Sequence, residues 1–142
     1  MTTIPDGAEL ARPFVPARDF ELSKRFYEAL GFTKLLDGQV AIFGIGASSF
    51  VLQNAFQKEW AENFMMQLMV DDLDDWWKHI RSLDLSADFG VSEPKAPAVQ
   101  PWGLRIAYVT VPQACFGTWL NVGRASPTIS GASSWVSGPV QP

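Results

Sequence analysis

The sequence predicts an α+β chain made of two copies of a strand-helix-strand-strand-strand unit, and three observations predict it. The first is a capped helix in the run Pro16 to Phe32. Asp19 stands where a carboxylate can accept from the free N–H groups of a first turn. Leu22, Phe26, Ala29 and Leu30 then fall at i, i+4, i+7 and i+8, one apolar stripe, and Gly31 supplies the left-handed residue that closes such a helix. The second observation is what flanks it. Arg12-Pro13-Phe14-Val15-Pro16 has no helical period and two prolines, so it reads as a short extended edge; Phe32 to Leu36 is a strand running into the tight turn Asp37-Gly38. The third is a repeat. A shift of 53 carries Asp19-Phe20 onto Asp72-Leu73, and Tyr27, Leu30 and Phe32 onto Ile80, Leu83 and Leu85.

The remaining elements follow in order. With 142 residues the chain reads as one domain, with module one at about 11–54, a linker at 55–63, module two at about 64–122 and a tail at 123–142. Val40 to Phe43 and Ser49 to Gln53 are expected strands, with Gly44-Ile45-Gly46 turning between them. The linker has mixed charge and room for one helical turn. Phe64 to Val70 is the repeat's first strand. Helices are expected near 19–30 and 72–83, the second burying Leu73, Trp76, Trp77, Ile80 and Leu83. Ser86 to Val91 reads as a short strand, Glu93 to Pro101 as a proline-rich loop, Leu104 to Thr110 as a strand, and Cys115 to Val122 as the closing strand.

Composition excludes several function classes. A net charge of −4 argues against a nucleic-acid surface and is permissive for a cationic ligand. Cys115 stands alone, so neither a disulfide frame nor a cysteine metal site can be built. No apolar run approaches the length of a membrane span and no basic-then-apolar leader opens the chain, so a soluble, cytoplasmic protein is expected. Ten Phe and six Trp are a heavy aromatic load that a well-filled core accounts for. Asp71, Asp72, Asp74 and Asp75 answer to capping and to the helix dipole rather than to calcium, since no EF-hand spacing follows.

The runs PARDFELSKRFYEALGF and VDDLDDWWKHIRSLDL, with the later QPWGLR, resemble the vicinal oxygen chelate superfamily of glyoxalase I, bleomycin-resistance proteins and extradiol dioxygenases. The match runs over roughly residues 10–112. It implies two βαβββ modules forming a partly closed mixed β-barrel, the glyoxalase/bleomycin-resistance fold, and a homodimer.

Enzymes of that superfamily hold a divalent metal with His, Glu or Gln drawn from both modules. The resemblance puts the first ligand at Arg12, its repeat partner at Met65, and the others at Val51 or Gln53 and near Thr118. A guanidinium has no lone pair to give, and a thioether is a poor ligand for hard or borderline divalent ions. No metal and no other cofactor is therefore expected. His79 has no orienting partner in the pattern and Cys115 no neighbouring base, so no catalytic residue is assigned. What is left is an apolar, aromatic barrel mouth with a few polar groups, the usual make-up of a small-molecule site. The expected ligand-binding residues are Arg12, Phe14, Gln53, Met65, Gln67, Trp102 and Arg105. Trp102 stands in QPWG, which in the resembling bleomycin-resistance proteins borders the drug cleft.

The function expected is metal-free binding of an apolar or cationic drug-like molecule, with no nucleic-acid or membrane partner. One alternative is a metal-dependent lyase or dioxygenase of the same superfamily. Another is an interaction or relic protein whose C-terminal end was frame-shifted. From Ile106 to Pro142 the only charged residue is Arg124. Read one base earlier, the codons of Ala114 to Asn121 can spell Gly-Val-Leu-Trp-His-Val-Ala-Glu, the closing run the family's pattern would supply. The tail is expected to pack on the body or on a neighbouring chain.

Overall fold

Two aspartates start the two long helices. The Asp19 carboxylate accepts from the Leu22 N–H at 3.1 Å and the Asp72 carboxylate from the Asp75 N–H at 3.0 Å, so the caps stand 53 positions apart, as the repeat requires. The structure, a computed structural model, describes residues 5–57, 59, 65–112 and 119–124. Trp60, Cys115, Thr118 and the tail from residue 125 onward lie outside the described residues.

Module one runs β1 (Phe14–Pro16), α1 (Phe20–Leu30), β2 (Thr33–Asp37), β3 (Val40–Ile45) and β4 (Ser48–Gln53). Module two runs β5 (Met65–Met69), α2 (Leu73–Ser82), α3 (Leu85–Phe89), β6 (Lys95–Val99), β7 (Arg105–Thr110) and β8 (Trp119–Arg124). Each module forms one four-stranded mixed sheet with the same order, β1-β4-β3-β2 and β5-β8-β7-β6, the first strand parallel to the last. This is the glyoxalase/bleomycin-resistance fold, with two sheets that do not close into one cylinder.

One face of each sheet is packed by helix. In module one it carries Val15, Ala41, Phe43, Phe50 and Leu52, all buried, against Phe26, Tyr27 and Leu30 of α1. Tyr27 is the hub: its ring lies 4.9 Å from Phe50, 5.7 Å from Phe32 and 5.7 Å from Phe43, centroid to centroid. The buried stripe of α1 is Phe20, Ser23, Phe26, Tyr27 and Leu30, with Leu22 and Ala29 only half-buried at its margin. It is rotated from the expected one because the sheet's rings Phe43 and Phe50 recruit Tyr27. In α2, Leu73 and Ile80 are buried, while Trp76, Trp77 and Leu83 are half-buried.

The modules share one hydrophobic core. Phe89 of α3 meets Phe26 of α1 edge to face at 5.4 Å. His79 Nε2 lies 3.0 Å from the Leu30 carbonyl oxygen, and the Trp76 indole packs over Gly31, whose φ of +125° no other residue would adopt easily.

Three segments differ from the sequence expectation. Residues 86–91 are largely helix, not strand: Leu85 and Phe89, four apart, both turn to the core, and Gly90 at φ +67° ends the turn. Within the expected proline loop lies β6, an edge strand bonded only to β7 among the described residues. Its register shifts between Lys95 and Ala98, where Pro97 has no N–H to give. The closing strand is described over Trp119–Arg124, two residues past the expected end at Val122, and pairs with both β5 and β7; the expected start at Cys115 lies outside the described residues.

Candidate functional site

Sheet faces that no helix covers are apolar in both modules. In module one, strand pairing sets Phe14, Val51, Ile42 and Leu36 side by side across β1, β4, β3 and β2. A bulge in β2 between Lys34 and Leu36 adds Leu35, whose Cδ1 would lie 3.0 Å from a Cβ on Gly44. Phe14, Leu35 and Leu36 remain 59%, 57% and 49% exposed. In module two the corresponding face is filled only in part: Leu104, Ile106 and Tyr108 are buried against a half-buried Trp102, while Gln67 and Met69 of β5 stay exposed.

The QPWG run is the turn that brings Trp102 there. Gly103 N–H donates to the Gln100 carbonyl at 2.9 Å, Gln100 N–H donates to the Leu104 carbonyl at 2.7 Å, and Gly103 adopts φ +93°. Tyr108 Oη donates to Gln100 Oε1 at 3.4 Å, and burial raises the pKa of its phenol.

A cavity of about 730 Å³ opens where the modules meet. Module one contributes the lead-in to β1 (Leu10, Ala11, Pro13), the start of β2 at Phe32, and the β3–β4 turn through Ser48, Ser49 and Phe50. Module two contributes β5 from Met66 onward, then Asp71 and Trp76 at the start of α2. The walls are apolar, with thioethers and an indole among them; hydroxyls, one amide and one carboxylate interrupt them.

The residues expected to bind ligand divide among these places. Gln67 lines the cavity. Arg12 lies beside it, exposed, its Nε donating to Ser49 Oγ at 2.9 Å. Phe14 and Gln53 lie on the open face of sheet one, and strand alternation puts Met65 with Gln67 on the open face of sheet two. Trp102 covers Ile106 and Tyr108. Arg105 points to the helix side, where its Nη1 is 3.0 Å from Asp74 Oδ1. Gln67 alone of the seven is therefore on the cavity wall.

Missed from sequence were Ser48, Ser49, Phe50, Met66, Asp71 and Trp76. One signal was present: two consecutive aspartates precede α2, and a helix needs only one cap.

The positions implied for a metal do not fit one. Arg12 is a cation engaged with a serine hydroxyl and Met65 is a thioether, which leaves the neutral donors Gln53 and Thr118, the latter outside the described residues. Among the described residues no three His, Cys, Asp or Glu side chains gather. His79 Nε2 is engaged with the Leu30 carbonyl oxygen. Among the described residues no helix is long and apolar enough to cross a membrane.

No family model matches the sequence, and no curated protein matches it. Solved structures do. A bleomycin-binding protein complexed with bleomycin superposes with a TM-score of 0.64 at 28% identity, over 84% of this chain and 100% of that one. The bleomycin resistance determinant encoded on transposon Tn5 gives 0.62 at 27% identity, over 84% and 99%. TnmS3, an antibiotic binding protein from Streptomyces sp. CB03234, gives 0.64 at 25% identity, over 88% and 100%.

Proposed function

Because the chain has the glyoxalase/bleomycin-resistance fold of the vicinal oxygen chelate superfamily, we propose that it is a metal-free binding protein that sequesters an apolar or cationic drug-like molecule. The observation that carries this reading is the cavity between the modules: about 730 Å³ is drug-sized, and apolar walls with a few polar groups are what such ligands need. Binding proceeds by burial, at roughly 25 cal/mol per Å² of apolar surface removed from water, with no covalent step. The donor set supports the metal-free part, since a guanidinium and a thioether stand where the family's enzymes need ligands. Gln67 and Arg12 orient the ligand. A ligand longer than the cavity extends over the open faces toward Phe14, Gln53, Met65 and Trp102, while Arg105 stays with Asp74.

In this reading the protein works in the cytoplasm as an isologous homodimer. The bare row of Phe14, Leu35 and Leu36 is the surface a second copy covers. Light scattering at high concentration should return the mass of a dimer, and a monomer there removes this part of the proposal.

A thermal-shift screen against antibiotics and metabolites, followed by calorimetry, tests the central claim. A ligand at a hundred times its Kd should stabilise the fold by about 2.7 kcal/mol. Ser48→Trp, at the exposed start of β4 on the cavity wall, should abolish binding without unfolding the protein. Binding unchanged in Ser48→Trp, or lost on chelation and restored by a divalent metal, overturns it.

A further inference from the structure

We infer that the cavity selects organic cations over neutral molecules of the same shape, and that Asp71 is the residue that selects; this rests on the cavity being the binding site. Asp71 is the one ionisable side chain on the cavity wall among the described residues. Its neighbour Asp72 performs the structural task, accepting from the Asp75 N–H at 3.0 Å, so Asp71 is not needed to cap α2. Asp74, the next carboxylate, is engaged by Arg105 at 3.0 Å. Among the described residues no cation stands within ion-pairing distance of Asp71.

The surroundings suit a cation with an apolar body. Trp76 is also among the residues that line the cavity, and a cation that reaches an indole face gains attraction from the ring quadrupole. Met66 and Leu68, both half-buried, offer soft apolar contact for an aryl or alkyl group. Arg12 belongs to the other module, lies beside the cavity and not on its wall, and spends its Nε on Ser49. An anion entering the cavity meets Asp71 without compensation on that wall. The net charge of −4 adds a general pull on cations.

Asp71 is exposed at the rim, so the preference is modest: about fivefold, in the range of an exposed ion pair. Two probes of matched shape test it by calorimetry, (2-naphthylmethyl)trimethylammonium and its neutral isostere 2-neopentylnaphthalene. The wild type should bind the cation about fivefold more tightly, with the advantage shrinking as salt rises. Asp71→Asn should bind both probes equally while holding the neutral one as the wild type does, and Asp71→Glu should keep the preference. Ser48→Trp should lose both. Equal binding of the two probes by the wild type overturns the inference and leaves the cavity reading standing, as does a preference that survives in Asp71→Asn. Failure of both probes to bind the wild type, or unchanged binding in Ser48→Trp, overturns the cavity reading and the inference with it.

Discussion

The two modules have the same strand order, the same parallel pair and the same aspartate cap, yet they are filled differently. Module one packs its helix face with rings, Phe26, Tyr27, Phe32, Phe43 and Phe50, and leaves its other face bare at Phe14, Leu35 and Leu36. Module two fills the buried part of its helix face with aliphatic groups, Leu73, Ile80, Ala107, Val109 and Val122, keeps its rings Trp76, Trp77 and Phe89 half-buried against them, and covers part of its other face with Trp102 over Ile106 and Tyr108. Topology and caps are thus what the fold demands of both copies, and the filling is where they are free to diverge. The cavity lies at the junction, where the two fillings meet and neither module completes the packing alone.

The largest test of this comparison is in the two cores. Tyr27 and Ile80 occupy equivalent repeat positions and both are 0% exposed. Tyr27→Ala should cost about 3–5 kcal/mol, because it empties the centre of a ring cluster, and Ile80→Ala about 2–5 kcal/mol. Because the cores are joined through Phe26 and Phe89, urea unfolding of each variant should remain one transition. Two separated transitions would show the modules to be independent units.

A smaller effect is expected at the caps. Asp19→Ala and Asp72→Ala each remove one carboxylate acceptor from a first-turn N–H and should each cost about 1 kcal/mol. Equal losses sharpen the view that the repeat is preserved at its helix starts; a loss at only one breaks it.

The smallest effect is electrostatic and belongs to module one. Asp37 accepts from Lys24 Nζ at 2.9 Å and from Lys34 Nζ at 3.1 Å, and these bonds hold its carboxyl below the usual range. Its folded pKa is depressed, so its contribution is present above the ordinary carboxylate pKa and lost as pH falls through the folded value. Hydrogen bonds from Lys24 to Glu21 and Asp37, and from Lys34 to Glu28 and Asp37, raise both lysines, whose contribution is lost only as strong alkali deprotonates them. Asp37→Asn should therefore lower the urea midpoint at neutral pH and converge with the wild type in acid. A constant gap across that range would mean that Asp37 acts by packing and not by charge.

Much of the fold was legible in the chain because its signals are local. A cap, a stripe and a closing glycine lie within one or two turns of each other, and a shift of 53 repeats them. Where a local signal misled, a tertiary contact had outvoted it. Leu85 and Phe89 became helix because the core takes both side chains on one face, and Lys95–Val99 became a strand despite Pro97 because an edge strand tolerates a missing donor. Strand alternation likewise placed Gln53 with Val51 and Gln67 with Met65.

The candidate site was less legible. Period and pattern determined the two modules and their caps, because each follows from neighbours in the chain, and the resemblance to the superfamily pointed to Arg12 and Met65, whose side-chain chemistry fits a metal poorly. Only the tertiary structure brought Ser48 and Ser49 of one module opposite Met66, Asp71 and Trp76 of the other, and sent Arg105 away to Asp74. A cavity is a volume that packing leaves unfilled between elements distant in sequence, and the residues around it share no spacing by which the chain alone could declare them.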